Sequence, residues 1–163
     1  MRKKYLHNPL VPFTYNKKLL SKSTDVRIYS DVILLTPGEY SDSISSYPVV
    51  YTKDELKKSA TNWEENYLNL DHSFETLKRI GFVNNPRFQD NALMGDLYIY
   101  PITRNAKDTI ALIDAGLVNW LSIELKSEDV WNSADSKKYA KDIVFIGAAV
   151  VLYPACEDTR IKQ

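Results

Sequence analysis

Apolar and polar positions alternate along much of this chain, and two short stretches switch to the spacing of a helix. Residues 25–35 (DVRIYSDVILL) are rich in β-branched and aliphatic side chains and predict a strand, closed by a turn at Thr36, Pro37 and Gly38. Residues 39–46 are polar and serine-rich and predict a loop. Thr52 and Glu55 form a capping box, in which the two side chains satisfy free backbone amides at a helix start. Leu56, Ala60 and Trp63 continue that helix at spacings of four and three, with an end expected before Asn66. Residues 67–72 alternate and predict a strand that delivers a histidine to a polar turn. Residues 80–87 and 92–102 predict two more strands, with turn chemistry at Asn84-Asn85-Pro86 and Gln89-Asp90-Asn91. Along the second, Leu93, Gly95, Leu97 and Ile99 share one face, and Met94, Asp96, Tyr98 and Tyr100 the other. Residues 104–115 predict the better helix, with Gly116 where a C-terminal cap belongs. Strands follow at 120–125, at 129–131 and, after a polar hairpin loop at 132–138, at 143–153, where Pro154 stops the run. Strands with one early and one late helix give an α+β, mainly β class, with a closed or strongly curved β-barrel and flanking helices.

The length of 163 residues fits one domain. Residues 1–22 hold Pro9 and Pro12, lack periodicity and read as an N-terminal arm; residues 23–163 read as the single domain. Acidic and basic residues cancel at 21 each, which argues against dedicated nucleic-acid binding. No apolar run is long enough for a signal peptide or a membrane span. The lone Cys156 has no internal disulfide partner, and a reducing, intracellular setting is the simplest reading. No Cys/His cluster has metal spacing, and with 5 glycines and no GxGxxG there is no phosphate-cradling loop. No cofactor and no metal are expected.

Any chemistry is then carried by ordinary side chains, and a possible Ser-His pair is the candidate. Of the 2 histidines, His7 lies in the arm, where a surface role outweighs a catalytic one. His72 ends a strand at a polar turn, so it can be held rigidly yet reach solvent. Imidazole titrates near neutrality, takes a proton from a hydroxyl and returns it to a leaving amine. Position alone favours a plain turn histidine by about two to one. Ser122 is a small polar residue inside the apolar run Trp120-Leu121-Ser122-Ile123-Glu124-Leu125; pattern alone favours an ordinary strand serine. Glu124 shares its sheet face, roughly 6–7 Å along the strand, where orienting His72 and simple exposure weigh about equally. Asp71 adjoins His72 and points to the opposite face unless the strand breaks there.

The ordered motifs add to this. Leu70-Asp71-His72-Ser73, Ile80-Gly81-Phe82-Val83, Leu93-Met94-Gly95-Asp96-Leu97, Ile113-Asp114-Ala115-Gly116, Leu121-Ser122-Ile123-Glu124 and Val150-Val151-Leu152-Tyr153-Pro154-Ala155 follow one another downstream of the Tyr51-Thr52 helix entry. In that order the chain resembles the prohead proteases of tailed viruses, a family similar in fold to the herpesvirus assemblins. The resemblance implies an assemblin-like barrel and a serine endopeptidase with Ser122 as nucleophile and His72 as general base. Its substrates would be major capsid protein and scaffold protein, with self-cleavage included, inside the procapsid in the host cytoplasm; a homo-oligomer is compatible with it.

One departure stands out. Many members carry a third catalytic glutamate seven residues before the closing proline, and that count from Pro154 lands on Gly147. Glu124 is the first substitute and Asp142 the second. Gln163 would then lie near a self-cleavage point, or the chain is an isolated protease domain. A catalytically weak or inactive assembly module that binds capsid protein is the alternative, and an unrelated β-rich binding domain a third reading.

Overall fold

The computed structural model describes residues 25–41, 47–153, 155, 156 and 158–161; the arm expected over residues 1–22 lies outside them. The elements run β1 (Arg27–Leu35), β2 (Gly38–Tyr40), β3 (Val49–Tyr51), helix α1 (Lys53–Ser59), β4 (Trp63–Leu70), a single 3-10 turn (Thr76–Lys78), β5 (Arg79–Gln89), β6 (Ala92–Ile99), helix α2 (Arg104–Asp114), β7 (Trp120–Asn132) and β8 (Lys137–Val151). The fold is α+β and mainly β.

All strands join one sheet in the order β1, β6, β5, β4, β8, with β7 on the far side of β8. β7 covers one edge of β8 along its length. The other edge is shared in parallel by β4, at Phe145 to Val150, and β3, at Lys138 and Tyr139. β2 pairs outside β3. The sheet curls into a half-barrel whose edge strands β1 and β7 approach without pairing. A closed barrel, one form of the expectation, is therefore not what the ladders build.

The alternation predicted for β6 holds: Leu93, Leu97 and Ile99 are fully buried. With Leu34, Leu56, Leu68, Ile113, Leu121, Ile143 and Phe145 they form the core inside the curl. Burying a side chain such as Phe145 contributes about 1.5–3 kcal/mol. β5 absorbs the Asn84-Asn85-Pro86 turn signal as a bulge, with Asn85 at φ 49° and the register shifting between Asn84 and Arg87. The two strands expected around 120–125 and 129–131 are one, bent by irregularities near Leu125 and Ser127.

Helix α1 starts where the capping signal put it, with the Thr52 hydroxyl accepting from the Glu55 amide at 3.3 Å. The glutamate half of the box is spent elsewhere, accepting from Ser59 and facing Lys58. Trp63 does not extend the helix. Its indole donates to the Ala60 carbonyl at 2.9 Å, and its ring stacks on Phe145 at 5.1 Å as the first residue of β4. Pairing with β8 overrides the helical spacing. Helix α2 is capped by Thr103 and ends at Gly116, whose φ of 71° is the left-handed turn foreseen there.

Candidate active site

β8 lies between the strands that carry the candidate residues. Leu68 pairs with Ala148 and Leu70 with Val150, and these face the core with Leu121. Side chains alternate along a strand, so Tyr67, Asn69, Gly147, Ala149, Ser122 and Glu124 share the opposite face. Two rows cross it: Tyr67, Gly147 and Glu124, then Asn69, Ala149 and Ser122. Asn69 is buried and its Nδ2 has no hydrogen-bond partner among the described residues, so the second row holds a spare amide donor besides the serine.

β4 stops immediately before the histidine. The Asp71 amide still donates to the Val150 carbonyl at 3.1 Å, and then Asp71 and His72 both take positive φ, 49° and 55°. Two consecutive left-handed residues break the strand, and the break sends the His72 side chain back across the sheet face. Its Nδ1 lies 2.9 Å from Glu124 Oε1. The other carboxylate oxygen, Oε2, accepts from the Tyr67 hydroxyl at 2.5 Å. Arg79 stacks over the Tyr67 ring at 4.5 Å.

These contacts fix charge states. Burial pushes the Glu124 carboxyl up, but the hydrogen bonds from His72 and Tyr67, with the nearby positive charge, outweigh it and hold it below the usual glutamate range. Burial first, and the carboxylate second, push the Tyr67 phenol well above its usual value, so it remains a donor. An ionised carboxylate only accepts, so His72 Nδ1 carries the hydrogen and Nε2 is the basic nitrogen. The side chain of Glu124 is 12% exposed and that of His72 45%: the carboxylate is shielded and the imidazole is open to solvent.

The sequence candidates separate accordingly. His72 and Glu124 come together, and Ser122 lies on the same face one residue pair along β7. The Ser122 hydroxyl makes no hydrogen bond among the described residues, to His72 or otherwise. Asp142 stays out of the group: it is exposed at φ 48° and pairs with Lys58 at 2.8 Å. Asp71 ends the strand and contributes backbone. His7 and Pro154 lie outside the described residues. Tyr67 and Arg79 were not singled out in the sequence. The signal for Tyr67 was Gly147 itself, a glycine inside an apolar strand, which marks close approach of another group. A Cβ there would fall 2.6 Å from the Tyr67 ring and from the Tyr67 carbonyl oxygen.

Gly147→Ala is therefore expected to destabilise the fold by about 1–3 kcal/mol, the usual range for forced overpacking. Tyr67 would have to leave Glu124 to make room. Urea unfolding measures the loss, and an unchanged midpoint would show that the strands yield freely at this point.

No protein-family model matches the chain, and no curated protein matches it. Among solved structures, the fold is similar to that of the bacteriophage T4 capsid assembly protease. The TM-score is 0.50 at 10% sequence identity, covering 82% of this chain and 100% of that one.

Proposed function

We propose that this chain is a serine endopeptidase that cleaves capsid and scaffold protein, itself included, within a viral procapsid in the host cytoplasm. The observation that carries the reading is the hydrogen bond from His72 Nδ1 to the shielded, ionised Glu124 on the face that bears Ser122. The fold likeness to a phage capsid assembly protease supports the setting. A finer kinship with the herpesvirus assemblins, and the single domain over 23–163, belong to the same proposal.

In this reading Ser122 Oγ attacks the scissile carbonyl while His72 Nε2 takes its proton and then returns it to the departing amine. Glu124 fixes the tautomer and stabilises the imidazolium that forms between those steps. Tyr67 holds the second carboxylate oxygen, so the group cannot swing away. Backbone amides would meet the oxyanion. Apo sites of this kind commonly have loose nucleophile–base contacts that tighten with substrate. The unbonded Ser122 hydroxyl is also what an inactive assembly module of the same fold would show, and the test must separate the two.

Co-expression with the capsid and scaffold proteins, read by intact mass spectrometry, does so. Defined cleavage products with the wild type, absent with His72→Ala, are expected. Full-length partners that co-assemble with the wild-type chain and stay uncut would establish the assembly module instead.

A further inference from the structure

The gap between the half-barrel's two edges is filled by the chain's own last described segment. The Ile33 amide of β1 donates to the Arg160 carbonyl at 3.3 Å, and the Ile161 amide donates to the Asn119 carbonyl at 2.8 Å. Arg160 C=O and Ile161 N–H belong to one peptide unit, so a single peptide bridges the seam from β1 to the start of β7. Cys156, Thr159 and Ile161 are buried beneath it. Thr36 at the end of β1 reaches the same segment through Asp158 at 3.0 Å and Cys156 Sγ at 3.4 Å.

Within this strap Thr159 has a distinct target. Its Oγ1 lies 2.5 Å from the Leu121 carbonyl and 2.8 Å from the Cys156 carbonyl. The Cys156 carbonyl also receives the Thr159 amide, at 3.2 Å. A hydroxyl has one hydrogen, and the Leu121 oxygen is the nearer acceptor. Asn119 and Leu121 accept two residues apart, so both carbonyls project from the β7 edge turned away from β8. Leu121 C=O is one half of the peptide unit whose other half is the Ser122 amide. The orientation of that plane sets the direction of the Ser122 Cα–Cβ bond.

We infer that Thr159 is a positioning residue for Ser122: through the Leu121 carbonyl it fixes the peptide plane from which the nucleophile projects. This rests on the protease reading above. The strap thus couples the half-barrel seam to the nucleophile, and its link to the Leu121 carbonyl is one hydroxyl.

The test measures the rate at which a fluorophosphonate labels Ser122, together with kcat and KM for capsid-protein cleavage and the thermal midpoint. Thr159→Val removes the hydroxyl at equal size, Thr159→Ser keeps it, and Thr36→Val loosens the same seam without touching Leu121. Thr159→Val is expected to slow labelling and lower kcat by about tenfold or more at unchanged KM, since misplacements under 1 Å act on that scale. Thr159→Ser should stay near wild type, and Thr36→Val should label at the wild-type rate even where its midpoint falls further. Labelling by Thr159→Val at the wild-type rate would overturn the inference. So would slowing that simply follows the loss of thermal stability across all three variants. A wild type that labels no faster than Ser122→Ala would instead remove the protease reading, and this inference with it.

Discussion

Ser122→Ala is expected to reduce cleavage by about 10⁴-fold or more while leaving the fold's stability nearly untouched. The size follows from the nucleophilic role proposed for Ser122, where losing the attacking atom would leave only the residual effect of binding and oxyanion stabilisation. The neutrality follows from the local structure. The hydroxyl makes no hydrogen bond among the described residues, and its Cβ faces Ala149 across the ladder. Its removal leaves no donor or acceptor stranded, so a stability change within about 0.5 kcal/mol is expected. Cleavage assays beside chemical denaturation read both quantities. A large loss of stability would mean that Ser122 holds the sheet, and persistent cleavage would mean that another hydroxyl attacks.

The second large effect belongs to Glu124→Gln, expected to lower kcat by about 10²- to 10⁴-fold with little change in KM. Glu124 accepts two hydrogens, one from Tyr67 and one from His72. Glutamine offers one acceptor oxygen and one NH₂ group, so one partner must reverse. Turning the NH₂ towards His72 forces Nδ1 to give up its hydrogen, which moves to Nε2 and removes the base. Turning it towards Tyr67 preserves the tautomer but not the charge that stabilises the imidazolium. A pH signature accompanies the rate. The folded carboxyl titrates below the ordinary glutamate value of 4.5. Its stabilising contribution is therefore complete above that value and is lost as the pH falls through the lowered folded value. The stability difference between wild type and Glu124→Gln should shrink across that acid range. A difference that stays constant with pH would show that the carboxylate is not held ionised by His72 and Tyr67.

The strands were legible because most bury one face only, and period-two alternation survives that arrangement. β6 shows it most clearly. The short β3 was missed, since three residues carry no period, and its parallel pairing with β8 joins segments far apart in sequence. Trp63 was misassigned because its spacing from Leu56 and Ala60 suits a helix face, while its stacking on Phe145 is a tertiary fact. At the candidate site, the local pattern of His72 and Ser122 favoured a plain turn histidine and an ordinary strand serine, and only the ordered motifs of the family resemblance singled them out. The choice between Glu124 and Asp142 was not. It depends on which strand lies on which side of β8, and on the irregular backbone at Asp142 that turns it towards Lys58. Tyr67 was hidden for the same reason: nothing local ties it to Gly147, 80 residues onward by the numbering (147 − 67).

The central position of β8 also has a consequence for biosynthesis. Strands β4 and β7 never touch through backbone ladders; each pairs with β8, which is the last of the strands to be made. The β4, β5, β6 and β1 ladders can form on a nascent chain, but His72 and Ser122 acquire a common face only after β8 has threaded between their strands. Such long-range parallel pairing is slow to nucleate. An incomplete chain on the ribosome therefore holds every proposed catalytic side chain as soon as Glu124 is added, and still has no site.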